Sequence, residues 1–422
     1  MTHQINKLPI NTVFSFVVIL AFFSFGTFRF FNLFNLSMIL KQAILISLLI
    51  GFSSILQNLY RVKNVSVFLM TLAFFFYTSI LGFFNLSYGK FLVLNSLFLI
   101  LSLFIISVDF KRIVIISKGI VNIAYAFALM GIIVSVIYTI KPSLLNLSSI
   151  QLASSETGSN GVNAITFLDY LSLPSWGNLN LYFFELQRVK SFSNEPSSAI
   201  VHFLPPIILS LFLNDKFKFR GGVILIFLLF FVSSLICIII FILAFLFYFI
   251  FRLNSKGTAL LSFIVMLSGL LLFMLNMESV IENLSFYGKL LNFDLMENKA
   301  TSATERLSSY RESMDILLQN PFGGSNYSTM TGLWLIVGKF GGFPLIFMYL
   351  LFSIYLVSLS FDCFSTTNNY KTRFSCSLIA SLTLIVFTVT SYGWYEAPGV
   401  ISFFLIYRVL KSQKNKEFIV NS

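Results

Sequence analysis

Charge is what this chain lacks most. Only 10% of its 422 residues are Asp, Glu, Lys or Arg, whereas 57% are hydrophobic and 53 are phenylalanine. A soluble domain carries roughly a quarter charged residues, so a water-exposed globular fold is excluded. Histidine is down to two residues and cysteine to three. Cys237 sits in an apolar run, Cys363 and Cys376 lie at or near a predicted turn, and none has metal-ligand spacing, so neither a disulfide framework nor a zinc site is expected. A Gly-rich phosphate loop, an HExxH pair, a nucleophile elbow and the paired aspartates of metal-dependent transferases are all missing. Chemistry without a metal or cofactor is the consequence. Acidic residues number 16 against 28 basic ones, a net charge of +12, but the cations are scattered singly between apolar runs and form no stripe that would read nucleic acid.

What is present is a series of apolar runs long enough to cross a bilayer. In lipid every backbone amide must be satisfied within its own helix, and a span takes about 20 residues. The runs are 10–31, 36–58, 65–85, 91–108, 113–140, 196–213, 219–233, 234–252, 258–277, 333–360, 374–391 and 396–411. The predicted fold is therefore an all-α integral membrane protein of about twelve helices. The pair 219–252 is broken only at Ser233-Ser234 and reads as two short spans or one long one. The first run follows a single lysine and lacks a small-x-small cleavage site, so it is expected to be retained as a helix.

Orientation follows the loops that collect Lys and Arg. With both termini on the cytoplasmic side of the membrane, inner segments hold 17 of the 28 cations, and every short inner turn after the first carries at least two. A single helix at 219–252 would invert everything after it. The expected organisation is five helices in 1–140, a long outer loop 141–195, four helices in 196–277, a second outer loop 278–332, and three helices with a cytoplasmic tail in 333–422. No internal repeat or pair of inverted halves is visible.

Two stretches of the outer loops could carry chemistry. The first runs Arg188-Val-Lys190-Ser-Phe-Ser-Asn194-Glu195-Pro196 into the sixth span. Proline suits the first helical turn, where its missing amide costs nothing, and the helix start would offer free N–H groups and partial positive charge to a phosphate or carboxylate, with Arg188 and Lys190 beside it. The alternative is that Glu195 only caps the helix while both cations lie among lipid headgroups. His202, about two turns inside the same span, is either a buried packing group or an intramembrane functional one. Trp176 and Tyr182 could stack on a sugar or anchor the chain at the interface.

The second stretch is an amphipathic helix at about 303–319. Ser302 and Glu305 have capping-box spacing, Leu307, Tyr310, Met314 and Leu317 repeat at three and four residues, and Asn320-Pro321-Phe-Gly-Gly ends the helix. Arg311 has Asp315 four residues on as a ready ion-pair partner; Arg306 has no carboxylate at three or four residues and is the stronger functional candidate.

With these motifs in view, the chain resembles the Wzy-type O-antigen polymerases, relatives of the O-antigen ligases. The resemblance rests on Arg188 followed by Phe192-Ser-Asn-Glu195-Pro196-Ser197, on Arg306 followed by Asn320-Pro321-Phe322-Gly323-Gly324, and on Gly338-Lys-Phe-Gly341 opening the next span. It implies a glycosyltransferase that joins oligosaccharide repeat units carried on undecaprenyl pyrophosphate at the outer face of the bacterial inner membrane. Arg188 and Arg306 would hold pyrophosphate, with Arg311, Lys190, Asn194, Tyr310 and His202 around the substrate, and Glu195 would be the base. It also implies membrane lipid and a chain-length regulator as partners. Ligases tend to show His followed by Asn, Ser or Gln where this chain has Tyr327-Ser328, which leans toward polymerase. A transporter of lipid-linked sugar is the rival class, but Lys, Arg, Asp and Glu are nearly absent from span centres.

Overall fold

The computed structural model describes residues 8–24, 65–85, 99–140, 174–181, 184–189, 196–232, 235–275, 312, 314–323, 333–388 and 397–414. The helices are α1 (Leu8–Ser24), α2 (Val65–Asn85), α3 (Phe110–Ile140), α4 (Pro196–Leu211), α5 (Asp215–Ile226, continued by a π turn Phe227–Val232), α6 (Leu235–Leu253), α7 (Lys256–Leu275), α8 (Leu333–Thr366), α9 (Tyr370–Thr388) and α10 (Ala397–Lys414). Shorter helical pieces occupy 99–107 and 314–319. Each long helix coincides with an apolar run, because a helix closes its own backbone hydrogen bonds where no water can. Among the described residues, five segments are long and apolar enough to cross a membrane: Phe110–Ile137, Ile236–Leu253, Lys256–Phe273, Gly342–Thr366 and Tyr370–Thr388. The protein is thus a multi-pass helical membrane protein. The expected run 36–58 lies outside the described residues.

α9 forms the centre. Every residue from Ser375 to Thr388 is buried, including Ser377, Ser381 and Thr383. Their hydroxyls are satisfied by donating to carbonyls one turn back, as in Thr383 Oγ1 to Ile379 at 2.7 Å and Thr388 Oγ1 to Leu384 at 2.9 Å. α7, by contrast, exposes Leu261, Ile264, Val265, Leu272 and Phe273, the composition of a lipid-facing helix.

Contacts sort the helix ends into two sets. At one end, Arg408 of α10 donates to the Val108 carbonyl at 2.6 Å just before α3. Arg220 of α5 donates to Asn122 of α3 and stacks on Phe217 and Tyr125. Ser375 of α9 donates to the Ile208 carbonyl of α4, and Lys256 at the start of α7 pairs with Asp362 near the end of α8 at 2.7 Å. Lys218, at 3.0 Å, and more weakly Lys371 hold the Asp215 carboxyl below the ordinary range, so the starts of α5 and α9 lie at the same end. Lys111, Arg112, Lys118, Lys216, Lys218, Arg220, Arg252, Lys256, Lys371, Arg373, Arg408 and Lys411 gather on these ends, against Asp109, Asp215 and Asp362. The same grouping bears on 215–253: the chain is divided into two helices, and the start of the first lies at the same end as the finish of the second, where Tyr248 and Phe251 meet Phe364 and Phe361.

Two expectations need correction. The all-α reading missed a β-hairpin in the first long loop, β1 (Pro174–Leu181) paired antiparallel with β2 (Phe184–Val189). The continuous run 333–360 is broken at Gly342, whose φ of 62° and ψ of −160° are not helical, so α8 is a short helix, a kink and a long span from Gly342 to Thr366.

Candidate active site

The hairpin lies at the end of the bundle away from the cations, where β2 packs against α3 and against the π turn that finishes α5. Its register runs Leu181↔Phe184, Asn180↔Glu185, Leu179↔Leu186 and Asn178↔Gln187, then slips so that Pro174 meets Val189. Arg188 therefore sits in a bulged stretch opposite Ser175, Trp176 and Gly177. Bulges of this kind re-aim side chains and recur beside active sites. The alternation Asn178-Leu-Asn-Leu181 and Phe184-Glu-Leu-Gln187 is the sequence signal that would have found these strands.

From Val189 the chain continues to α4, which begins at Pro196, the first-turn position that its missing amide favours. Lys190, Asn194 and Glu195 lie outside the described residues. His202 is fully buried between α1 and α3, with its ring 5.7 Å from Phe22 and 6.4 Å from Phe23, and Phe23 in turn packs on Phe127. One turn below it Pro205 and Pro206 lie within the helix and cannot donate to the carbonyls of Val201 and His202. The structure thus gives His202 the packing surroundings that the sequence left as one of two readings.

The second stretch is described from Met314 to Gly323, together with helical Glu312; Arg306, Tyr310 and Arg311 lie outside the described residues. The amphipathic pattern is realised where it is seen. Leu317 is 1% exposed and Met314 packs against the core, while Asp315 and Leu318 face outward. Asn320 closes the helix, its amide donating to Ile316 at 2.9 Å and its side-chain nitrogen to the same carbonyl at 3.2 Å. Asn320-Pro321-Phe322-Gly323 then forms a turn closed by Gly323 N–H to the Asn320 carbonyl at 2.9 Å, with Gly323 at φ 84°. Proline at the second position and glycine at the fourth are what such a turn selects.

This turn is seated on the kink of α8. Phe343 N–H donates to the Pro321 carbonyl at 2.8 Å, and Tyr77 of α2 donates its hydroxyl to the Phe322 carbonyl at 3.4 Å. Two motifs that were separate in the sequence, Asn320-Pro-Phe-Gly and the glycines after Lys339, therefore meet at one place. Gly342, Tyr77 and Phe343 were not foreseen; the Gly341-Gly342 pair is a turn signal that an apolar-run reading passes over. Among the described residues no cluster of His, Cys, Asp or Glu could hold a metal ion.

Residues 221–331 match the model of a family described as O-antigen ligase. The matched segment runs from Gly221 in α5 through α6, α7 and the second long loop, and includes Arg306, Arg311 and the Asn320–Gly323 turn. No curated protein and no solved structure matches the chain. The family match places the segment 221–331 in the O-antigen ligase/polymerase superfamily.

Proposed function

We propose that this member of the O-antigen ligase/polymerase superfamily is a polysaccharide polymerase of the bacterial inner membrane, joining oligosaccharide repeat units carried on undecaprenyl pyrophosphate. The observation that carries the reading is the turn at Asn320–Gly323. It ends the arginine-bearing loop and is held at the membrane bundle's cation-poor end, which the charge rule assigns to the outside. Twelve spans with both termini cytoplasmic follow from the same rule. Tyr327-Ser328, standing where ligases tend to carry a histidine, favours polymerase over ligase.

In the proposed reaction a hydroxyl oxygen of one unit attacks the anomeric carbon of another. The carbon–oxygen bond to pyrophosphate breaks, and the lipid pyrophosphate leaves with the electron pair. The hydroxyl proton passes to Glu195. Negative charge grows on the leaving phosphate oxygens, and Arg188 and Arg306 stabilise it; guanidinium is always charged and binds such oxygens in pairs, a role that a metal fills in many soluble transferases. Arg311, Lys190, Asn194 and Tyr310 line the substrate. His202 contributes by packing the head of α4 against α1. Lipid-linked oligosaccharide is both donor and acceptor, and a chain-length regulator is the expected protein partner.

The test is Arg306→Ala in cells carrying the rest of the pathway. The protein should insert at normal abundance while long surface polysaccharide collapses to single repeat units. Unchanged chain lengths would refute the assignment. Full-length chains accumulating on the lipid carrier, unattached to their final acceptor, would establish a ligase in its place.

A further inference from the structure

The Asn320–Gly323 turn and the kink of α8 touch backbone to backbone, and the contact leaves no room for a side chain. A Cβ built on Gly342 would lie 2.0 Å from the Pro321 oxygen, 2.5 Å from the Phe322 carbonyl carbon and 2.6 Å from the Gly323 nitrogen. These atoms belong to main chain on both sides, so no rotamer change relieves the clash. The φ of 62° at Gly342 is a second, independent demand for glycine. The Phe343 N–H that follows the kink is turned toward the Pro321 carbonyl, and the Tyr77 hydroxyl holds the next carbonyl along. Gly342 is also where the long span of α8 begins, so the contact ties the outer-loop helix to the mouth of the bundle.

We infer that Gly342 is a positioning residue: by offering bare backbone to Pro321–Gly323 it fixes the loop segment that follows Arg306 and Arg311 over the membrane bundle, and glycosyl transfer depends on that seat. The inference rests on the proposed polymerase function for its consequence, but not for its geometry. It assigns Gly342, Pro321 and Phe343 no contact with substrate.

Cross-linking tests the seat without reference to activity. The Phe343 amide donates to the Pro321 carbonyl at 2.8 Å, which makes the two residues neighbours and candidates for a disulfide, whose α-carbons stand ~4.4–6.8 Å apart. In full-length protein in native membranes, Pro321→Cys with Phe343→Cys adds two thiols to the native three. Mild oxidation followed by denaturing maleimide tagging should count three free thiols, and five after reduction. The oxidised, locked protein should polymerise as the reduced one does. Adding Gly342→Ala should abolish the cross-link and lower the polymerisation rate about tenfold to a hundredfold. Gly269→Ala, where a Cβ would meet nothing within 4 Å, should change neither. In the Arg306→Ala background, Gly342→Ala should cause little additional loss, because one change acts through the other; a purely structural defect would add to it.

Absence of the cross-link, its equal formation with Gly342→Ala, or inactivation of the protein by the lock would overturn the inference, and the lock remains decisive even if Gly342→Ala fails to insert. If the cross-link behaves as expected while neither Gly342→Ala nor Arg306→Ala alters the polysaccharide, the seat stands and the functional reading falls.

Discussion

Replacing Leu317 by alanine should release the outer-loop helix from the bundle while leaving the membrane helices intact. Leu317 is 1% exposed, whereas its neighbour Leu318 is 61% exposed, so one leucine of the pair anchors the helix and the other does not. Truncating a buried leucine costs about 2–5 kcal/mol, and a site at the rim of a bundle can relax around the deletion, which favours the lower half of that range. A loss of about 2–3 kcal/mol multiplies the undocked fraction by about 30 to 150, taking 1.4 kcal/mol as tenfold. The assay is amide exchange of residues 314–323 in purified protein held in nanodiscs. Exchange in Leu317→Ala should speed up by that factor at Ile316 through Gly323, with no change in α9 at the centre of the bundle. Leu318→Ala should behave as the unaltered protein. Equal exchange in the two variants, or acceleration spread through α9, would refute the view that Leu317 is the local anchor.

Other expected outcomes test the packing and the orientation. A Cβ on Gly221 would fall 1.8 Å from Ser210 Oγ, and that hydroxyl is buried and already bonded to the Ile207 carbonyl at 2.7 Å. Gly221→Ala should therefore destabilise by about 1–3 kcal/mol. Its neighbour Gly222 has open space, and Gly222→Ala should be neutral or stabilising by up to about 1 kcal/mol. Thermal unfolding of the two purified variants separates the cases, and a reversed order would contradict the α4–α5 packing. For orientation, Asn320→Cys should be labelled in intact cells by a membrane-impermeant maleimide, and Lys371→Cys only after permeabilisation. Labelling in the opposite sense would place the cationic end outside and remove the basis for an outer-face reaction.

Much of the helical architecture was legible because hydropathy and backbone satisfaction are local requirements. The start of α4 at Pro196 and the inward face of Met314 and Leu317 follow from residue type and spacing alone. The gathering of Lys and Arg at one end was also readable, since each cation marks a loop without reference to its neighbours. What escaped depends on contacts between distant segments. Gly341-Gly342 inside an apolar run looks like a tolerated weakness in a helix, and only Pro321 and Phe322, some twenty residues earlier in the chain, make it a break. The hairpin escaped for a different reason. Its alternation is plain in Phe184-Glu-Leu-Gln, but the bulge opposite Arg188 interrupts the pattern where the candidate arginine drew attention to chemistry instead of pairing. His202 was open to two readings in the sequence, packing or function, and the structure adds its burial and its contacts with the Phe22 and Phe23 rings.

The docked turn changes how the sequence motifs should be weighed. Asn320, Pro321, Gly323 and Gly342 are accounted for by a helix end, a tight turn and a close backbone approach, so their residue types are dictated by geometry. None of them carries a charge to set against a leaving pyrophosphate, and none has a side-chain base. On the proposed reading the chemistry falls to the cations and the acid of the two candidate stretches: Arg188 of β2 opposite the bulge in β1, Glu195 ahead of Pro196, and Arg306 and Arg311 ahead of the 314–319 helix. Substitution at the two kinds of position should fail differently. Losing Gly342 misplaces a loop that can still bind, so the defect should grow with anything else that loosens the turn, such as Tyr77→Phe. Losing Arg306 removes charge from a loop that is still seated, so Tyr77→Phe should add nothing to it.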